Sequence, residues 1–154
     1  MKAVRRTRVL FVCLGNSCRS PMAESIAAHI ASDVMEVSSA GIVALGVVQP
    51  ATRQTLAKNG YPADELESKP LESIDLDAID LIINMTGRPG LTLFPDATKV
   101  EDWIVEDPYG SDAATYQRVF EHIESRVVHL VGKVKTSAPN DFAAPKIQEK
   151  KSLR

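Results

Sequence analysis

Stretches of continuously apolar residues alternate along the chain with segments in which apolar residues recur every three or four positions. Continuous short runs are typical of strands covered on both faces, whereas the longer spacing is typical of helices with one buried face. The pattern predicts strands at residues 8–13, 34–39, 79–85 and 100–105. It predicts helices at residues 22–31, 50–58 and 111–134. Because successive parallel strands need crossover connections, this order predicts an α/β fold: a four-stranded parallel sheet with helices on both faces.

Several predicted element ends carry residues that are favoured there. Ser20 and Pro21 predict the start of the first helix, with the serine as cap and the proline at the first helical position. Gly60 suits the left-handed residue that follows many helices. Residues 61–78 are predicted to form loop and short helical turns, since prolines interrupt the pattern. The polar residues 137–154 are predicted to form a mobile tail.

Composition narrows the class of protein. The chain has 154 residues, 44% of them apolar and 25% charged, so residues 1–136 are expected to form one domain. The net charge of −2 indicates no nucleic-acid partner, and no apolar run is long enough for a signal peptide or a membrane span. Two cysteines cannot build a paired-cysteine zinc site. We therefore expect a cytoplasmic protein with free thiols and no membrane association, present as a monomer or weak dimer.

Residues 13–21 combine an anion-binding backbone with a thiol. Cys13 ends the first predicted strand, and the first predicted helix follows within ten residues. A loop at the start of a helix presents backbone N–H groups and the positive end of the helix dipole to one point, which favours a bound phosphate. Arg19 can add a bidentate contact to phosphate oxygens. The residues expected to bind substrate here are Leu14, Gly15, Asn16, Ser17, Cys18, Arg19 and Ser20.

The same residues predict a reaction as well as a binding site. The surrounding N–H donors and Arg19 favour a thiolate at Cys13, which could attack the phosphorus of a bound phosphomonoester. Ser20 is placed to donate a hydrogen bond to the Cys13 sulfur. Asp107 follows the fourth predicted strand in a turn fixed by Pro108, and it is expected to protonate the leaving oxygen. No metal or other cofactor is needed, because Arg19 and the backbone amides supply positive charge.

Two segments resemble the signature of a known enzyme family. Residues 9–24 resemble the phosphate-loop signature of the low-molecular-weight protein tyrosine phosphatases, and residues 106–110 resemble that family's acid loop. The resemblance extends over residues 7–135 and implies the flavodoxin-like fold of these phosphatases. It implies that Cys13 is the nucleophile and Arg19 the phosphate clamp in hydrolysis of phosphotyrosine or aryl phosphates.

The resemblance also implies roles for residues around the loop. Asp107 would be the general acid. Asn16 would brace the loop, with Ser39 as its partner. Cys18 stands at the position that can form a reversible disulfide with Cys13 in the family and so protect the nucleophile from overoxidation.

Departures from the family pattern concern the walls of the site. Residues 42–48 contain no aromatic residue, although the family usually carries one there beside its phenol slot. Leu66 stands near the place where the family often has a histidine that braces the phosphate loop. The interval between Cys13 and Asp107 is shorter than is usual in the family. Tyr109 is the candidate for one aromatic wall of the slot.

Two other functions remain open on these residues. Arsenate reduction on the same fold, as in the thioredoxin-coupled arsenate reductases, needs further cysteines to resolve an arseno-thiol adduct, and Cys18 is the only cysteine besides Cys13. A phosphate- or phosphopeptide-binding module without turnover is the third hypothesis. We rank hydrolysis first, with a phosphotyrosine protein or a small aryl phosphate as the partner. Cys18 and Tyr109 could also be plain loop residues.

Overall fold

A four-stranded parallel sheet forms the centre of the molecule. The computed structural model describes residues 5–137. Its strands are β1 (Thr7–Cys13), β2 (Met35–Gly41), β3 (Leu81–Asn84) and β4 (Val100–Asp102). Their order across the sheet is β2-β1-β3-β4, and all three neighbouring pairs are parallel. The predicted four-stranded parallel sheet is therefore confirmed, and the loop after β1 lies between the loops after β2 and β3.

Four α-helices connect and cover the strands. They are α1 (Arg19–Ala31), α2 (Pro50–Lys58), α3 (Gly90–Leu93) and α4 (Ala113–Lys135). Single 3-10 turns lie at Leu71–Ser73, Leu76–Ala78 and Ala97–Lys99. Gly60, in the left-handed region with a φ of 85°, follows α2 as expected.

The two faces of the sheet are covered unequally. Val9 and Phe11 of β1 belong to the larger core, which they share with buried residues of α1, α2 and α4. Leu10 and Val12 point to the other face and pack in a smaller cluster with Phe94. Partly buried residues of the 3-10 turns and of α3 complete that smaller cluster. The three longer helices thus lie together on one face, because alternate residues of a strand face opposite sides.

The predicted start of the first helix was wrong. Helix α1 begins at Arg19, and Cys18 before it makes no side-chain cap hydrogen bond. Ser20 is therefore inside the helix, and its hydroxyl lies against the Cys13 sulfur instead of capping. Without a side-chain cap, the first backbone N–H groups of α1 are left for another acceptor, which is how a helix start comes to bind an anion.

The last two strands are shorter than predicted. Ile79 follows a 3-10 turn and donates its N–H to the carbonyl of Leu76, so β3 begins only at Leu81. Trp103 still donates to the Asn84 carbonyl, but the chain then leaves the sheet, and β4 ends at Asp102. Trp103 itself is buried against Phe11. The strands were predicted too long because apolar side chains remain buried beyond the last residues whose backbones pair in the sheet.

The loops that follow the four strands open at one edge of the sheet, where ligands of parallel α/β sheets bind. The residues proposed from the sequence for the site lie in these loops or in the first turn of α1, except Cys13, which is the last residue of β1. None of the helices within residues 5–137 has the length and apolarity needed to cross a membrane. Apart from Ser137, the predicted tail lies outside the described residues, so that expectation stays a prediction.

Candidate active site

The loop after β1 has its carbonyl groups turned outward. The carbonyls of Leu14 and Gly15 accept hydrogen bonds from the backbone N–H groups of Val43 and Leu45, at 2.8 and 3.0 Å. The carbonyl of Ser17 accepts from the N–H of Gln49, at 3.0 Å. In a trans peptide the N–H points away from the C=O of the same unit. The N–H groups that follow these three carbonyls therefore point to the inside of the loop, which is the arrangement needed for the anion cradle that the sequence predicts.

Cys13 lies at the base of this cradle. Its side chain is buried, with 2% of its surface exposed. The Ser20 hydroxyl oxygen lies 2.9 Å from the Cys13 sulfur, and the Ser20 backbone N–H donates to the same sulfur at 3.4 Å. Two donors from the first turn of α1 thus face one sulfur, an arrangement that stabilises negative charge there. The placement of Ser20 beside Cys13 agrees with the sequence prediction.

Asn16 braces the loop from within. Its side-chain amide donates to the hydroxyls of Ser20 and Ser39, at 2.7 and 2.9 Å, and its side-chain oxygen accepts from the Lys69 N–H at 2.8 Å. Ser39 in turn donates to Glu24, at 2.5 Å. With a φ of 48°, Asn16 is the one non-glycine residue with positive φ among residues 5–137. The expected pairing of Asn16 with Ser39 is therefore present, and the strained backbone is held by three hydrogen bonds.

The end of β2 approaches the loop so closely that only glycine fits. A Cβ on Gly41 would lie 2.8 Å from the backbone nitrogen of Asn16 and 2.9 Å from the carbonyl oxygen of Leu14. Real side chains do not tolerate such contacts with backbone, so the loop would have to move. Gly41 thus fixes the distance between β2 and the anion cradle.

Arg19 extends from the start of α1 towards the ends of β3 and β4. One terminal nitrogen, Nη1, donates to the carbonyls of Met85 and Val105, at 2.7 and 3.3 Å. The other, Nη2, lies 3.4 Å from Oδ2 of Asp107. The side-chain Nε is buried and lacks a hydrogen-bond partner, which within the described residues is true of one other side-chain polar atom, Nε of Arg126. A buried donor without an acceptor costs about 1–3 kcal/mol, and a bound oxyanion would remove that cost.

Asp107, the predicted acid, and Tyr109, the predicted wall residue, lie at the mouth of one cavity, which we call the slot. Asp107 is about half exposed, and its Oδ1 accepts the N–H of Tyr109 at 3.1 Å, which holds the Asp-Pro turn. Cys13, Arg19, Asp107 and Tyr109 all line a cavity of about 400 Å³, a size that accommodates a small organic ligand. The structure therefore brings together residues that are far apart in the sequence.

Cys18 faces the protein interior as well as the slot. Its sulfur lies 3.3 Å from the hydroxyl of Tyr116 in the first turns of α4, and both side chains are 3% exposed. Burial, and after it the hydrogen bond with Cys18, raise the pKa of Tyr116 above its ordinary range. The phenol of Tyr116 therefore remains protonated and able to donate to the sulfur.

Several residues that shape the site were given no role by the sequence analysis. Ser68 donates to the Gly15 carbonyl at 3.1 Å, and Thr52 donates to the Ser17 carbonyl at 2.8 Å. No local sequence pattern predicts that a single hydroxyl will hydrogen-bond to a distant loop. Arg88 lines the slot from the turn after β3. That turn lies at the carboxyl edge of the sheet, so its position was available from the predicted strand order.

The two segments that depart from the family pattern, residues 42–48 and the region of Leu66, lie beside the site. Val43 and Leu45, from residues 42–48, line the slot with exposed aliphatic side chains in the segment where the resembled phosphatases usually carry an aromatic residue. Leu66 is nearly buried, and its carbonyl accepts from Arg53 at 2.9 Å. The loop is instead braced by Asn16 and Ser68.

A thiol, an arginine and inward-pointing N–H groups thus lie together at the carboxyl edge of a parallel α/β sheet. Comparison with known proteins identifies the family that has this fold. The family model described as low molecular weight phosphotyrosine protein phosphatase matches residues 8–140, and this chain belongs to that family.

Relatives in this family have different activities. The chain is 32% identical over 130 residues to a glutaredoxin arsenate reductase from Synechocystis, covering 82% of this chain and 98% of the relative. It is 31% identical over 144 residues to the low molecular weight protein-tyrosine-phosphatase PtpB from Staphylococcus haemolyticus, covering 85% of this chain and 99% of that protein. A solved arsenate reductase in the phosphate-binding state matches with a TM-score of 0.77 at 32% identity, over 83% of this chain and 98% of that one.

Proposed function

We propose that this protein hydrolyses aryl phosphomonoesters, such as phosphotyrosine, through a phosphocysteine intermediate. The observation that carries the proposal is that Cys13, Arg19 and Asp107 line one slot. A nucleophile, a clamp for the phosphoryl oxygens and an acid are the three groups that this hydrolysis needs.

In the first step the Cys13 thiolate attacks phosphorus, an S–P bond forms, and the P–O bond to the leaving group breaks. The inward N–H groups and Arg19 hold the equatorial oxygens, where charge spreads in the transition state. Asp107 gives its proton to the leaving oxygen. Its half-exposed position at the mouth of the slot suits contact with that oxygen.

In the second step water attacks phosphorus, Asp107 accepts a proton from that water, and the S–P bond breaks to release phosphate. Cys13 leaves as a thiolate, which needs stabilisation as its negative charge returns. Ser20 supplies two donors to the sulfur, its hydroxyl at 2.9 Å and its N–H at 3.4 Å.

Arsenate reduction is the second candidate, and the similarity to arsenate reductases favours it. That reaction takes two electrons from thiols as As(V) becomes As(III), so a second thiol must attack the Cys13–arsenic adduct. The 154 residues contain one further cysteine, Cys18, whose sulfur is buried against Tyr116. A reduction that uses the chain's own second thiol would have to use this buried sulfur, which supports hydrolysis as the first candidate.

The test uses 4-nitrophenyl phosphate and two variants. Cys13→Ser is expected to lose more than about 1,000-fold in kcat, because an alcohol is a far weaker nucleophile at neutral pH, while still binding inorganic phosphate in calorimetry. Full activity of Cys13→Ser would exclude the phosphocysteine mechanism. In parallel, arsenate and NADPH are supplied with glutaredoxin, glutathione and glutathione reductase, or with thioredoxin and its reductase. Arsenate-dependent NADPH oxidation that disappears in Cys13→Ser, and also in Cys18→Ser where the second thiol is the chain's own, with no phosphatase activity in the wild type, would establish the second candidate instead.

A further inference from the structure

The slot has two side walls of opposite character. Val43 and Leu45 follow β2, and both are aliphatic and about half exposed or more. Arg88 follows β3 and lines the slot as well. Because β1 lies between β2 and β3, the loop that follows Cys13 has an apolar wall on one side and Arg88 on the other. A substrate in this slot therefore meets different chemistry on its two sides.

The turn that carries Arg88 is held in place by its backbone. Gly87 adopts the left-handed region with a φ of 87°. The Arg88 N–H donates to the Thr86 hydroxyl at 3.0 Å, and the Arg88 carbonyl accepts from the Asn84 side-chain amide at 2.7 Å. Asn84 is buried in β3, so the position of the Arg88 backbone is tied to the sheet.

A carboxylate fixes the other end of this turn without touching the Arg88 side chain. Asp102 accepts from the Asn84 amide at 2.8 Å and from the Gly90 N–H at 3.1 Å. A Cβ on Gly90 would lie 2.4 Å from Cγ1 of Val100, so the turn packs directly on β4. These contacts leave little freedom for the backbone around Arg88.

The guanidinium of Arg88 has no hydrogen-bond or ion-pair partner among residues 5–137, although several other arginines are paired. Arg5 pairs with Asp80, and Arg118 pairs with Glu106. The slot-lining charged residues are Arg19, Arg88 and Asp107, of which Arg19 and Asp107 pair with each other. Arg88 is thus a surplus positive charge in a slot whose phosphate site is already served by Arg19.

The geometry points to Arg88 as a specificity-determining residue that binds a second anionic group of the substrate. The substrate class is a phosphomonoester whose apolar body lies against Val43 and Leu45 and which carries a carboxylate or a second phosphate near the ester. An acidic residue beside a phosphotyrosine supplies such a group, and so does a small aryl phosphate with its own carboxylate. A planar guanidinium binds both kinds of anion through paired hydrogen bonds. This inference rests on the proposed hydrolysis.

The test compares matched substrates on matched variants. One pair is phenyl phosphate and 3-carboxyphenyl phosphate, and the other is a phosphotyrosine peptide with Glu or with Gln beside the phosphotyrosine. The wild type is expected to favour the anionic member by about fivefold in kcat/KM, which corresponds to about 1 kcal/mol. Arg88→Gln is expected to reduce that ratio to about one, and Arg88→Lys to keep part of it. Lys135→Gln, which removes one positive charge near the amino ends of the strands, is the control and is expected to keep the wild-type ratio.

The two substrate pairs separate the sources of the anion, since a preference in the aryl pair alone indicates a small-molecule substrate. An equal ratio in the wild type and in Arg88→Gln would overturn the inference, and so would an equal loss of both members in Arg88→Gln. Failure of the proposed hydrolysis is seen separately, because the wild type would then turn over neither member. In that case calorimetry with benzylphosphonate and 3-carboxybenzylphosphonate still decides the role of Arg88, since binding needs no turnover.

Discussion

The hydroxyl of Tyr116 lies 3.3 Å from the sulfur of Cys18, and this contact joins the first turns of α4 to the phosphate loop. Both side chains are almost fully buried. The hydroxyl is therefore a polar group in the core whose hydrogen-bond partner belongs to the loop. Helix α4 supports the site through this contact, although it contributes no residue to the chemistry.

Replacing Tyr116 with Phe removes that hydrogen bond and leaves the ring in place. We expect the free energy of unfolding to fall by about 1 kcal/mol, because a neutral buried hydrogen bond contributes about that much. Urea denaturation measures the change. Tyr109→Phe is the matched control, since Tyr109 is half exposed, and its expected change is under about 0.5 kcal/mol. Equal losses in the two variants would show that the Tyr116 hydroxyl makes no net contribution.

Asn16→Ala is expected to weaken both stability and turnover. The variant loses three hydrogen bonds and places alanine at a φ of 48°, so we expect a loss of about 2–4 kcal/mol in the free energy of unfolding. The fall in kcat/KM for an aryl phosphate should exceed tenfold, because the N–H cradle is no longer held in shape.

Asn59→Ala provides the comparison for Asn16. Asn59 donates to the Thr55 carbonyl and exchanges hydrogen bonds with Gln117 at the end of α2. We expect some loss of stability in Asn59→Ala and an unchanged kcat/KM. A similar fall in activity in both variants would mean that stability alone limits turnover.

Asp107→Asn should change the dependence of the rate on the leaving group. A good leaving group departs without a proton, so hydrolysis of 4-nitrophenyl phosphate should fall less than hydrolysis of phenyl phosphate. We expect about a tenfold difference between the two losses, measured as kcat under saturating substrate. Identical losses for both esters would assign proton donation to another group.

The carboxylate of Asp80 should make stability depend on pH in acid. Burial opposes its ionisation, but hydrogen bonds from the Arg5 guanidinium and the Arg8 N–H outweigh burial and hold the pKa of Asp80 below its usual value. A carboxyl with a lower pKa in the folded state stabilises the fold above its unfolded pKa of about 4, and this contribution disappears as pH falls through the folded pKa.

We therefore expect Asp80→Asn to lose about 1–2 kcal/mol at pH 7 and to approach the wild type below about pH 3. Urea denaturation at several pH values gives both numbers. Asp33→Asn is the control, because Asp33 is an exposed aspartate. A constant difference between Asp80→Asn and the wild type at every pH would contradict the assignment.

The fold was largely available from the sequence because each element carries a strong apolar pattern. Residues 8–13 read as a buried strand, and β1 has almost no exposed surface. The stripe that predicts the last helix is buried along α4 from Tyr116 to Val134. The ends of elements were less predictable, as with β4, where Trp103 is buried by packing after strand pairing has ended.

The positions of the proposed catalytic residues were predictable, whereas the supports and walls of the site were not. The spacing of Cys13 and Arg19 places both in one loop region, and the strand order places Asp107 at the same edge of the sheet. Ser68 acts through a single hydrogen bond to the Gly15 carbonyl, which depends on a loop conformation that no local pattern encodes. The first helix was misplaced because Ser20 suits a cap position, but its hydroxyl is used by the Cys13 sulfur.

The ion pair between Arg19 and Asp107 has a consequence for how any anion enters the slot. Because Asp107 already lies 3.4 Å from Arg19, the guanidinium holds a resident counter-ion of its own. An arriving dianion would compete with that carboxylate, so binding would be an ion exchange and not a simple addition of charge. In the proposed hydrolysis, the displaced carboxylate takes up a proton before it protonates the leaving oxygen.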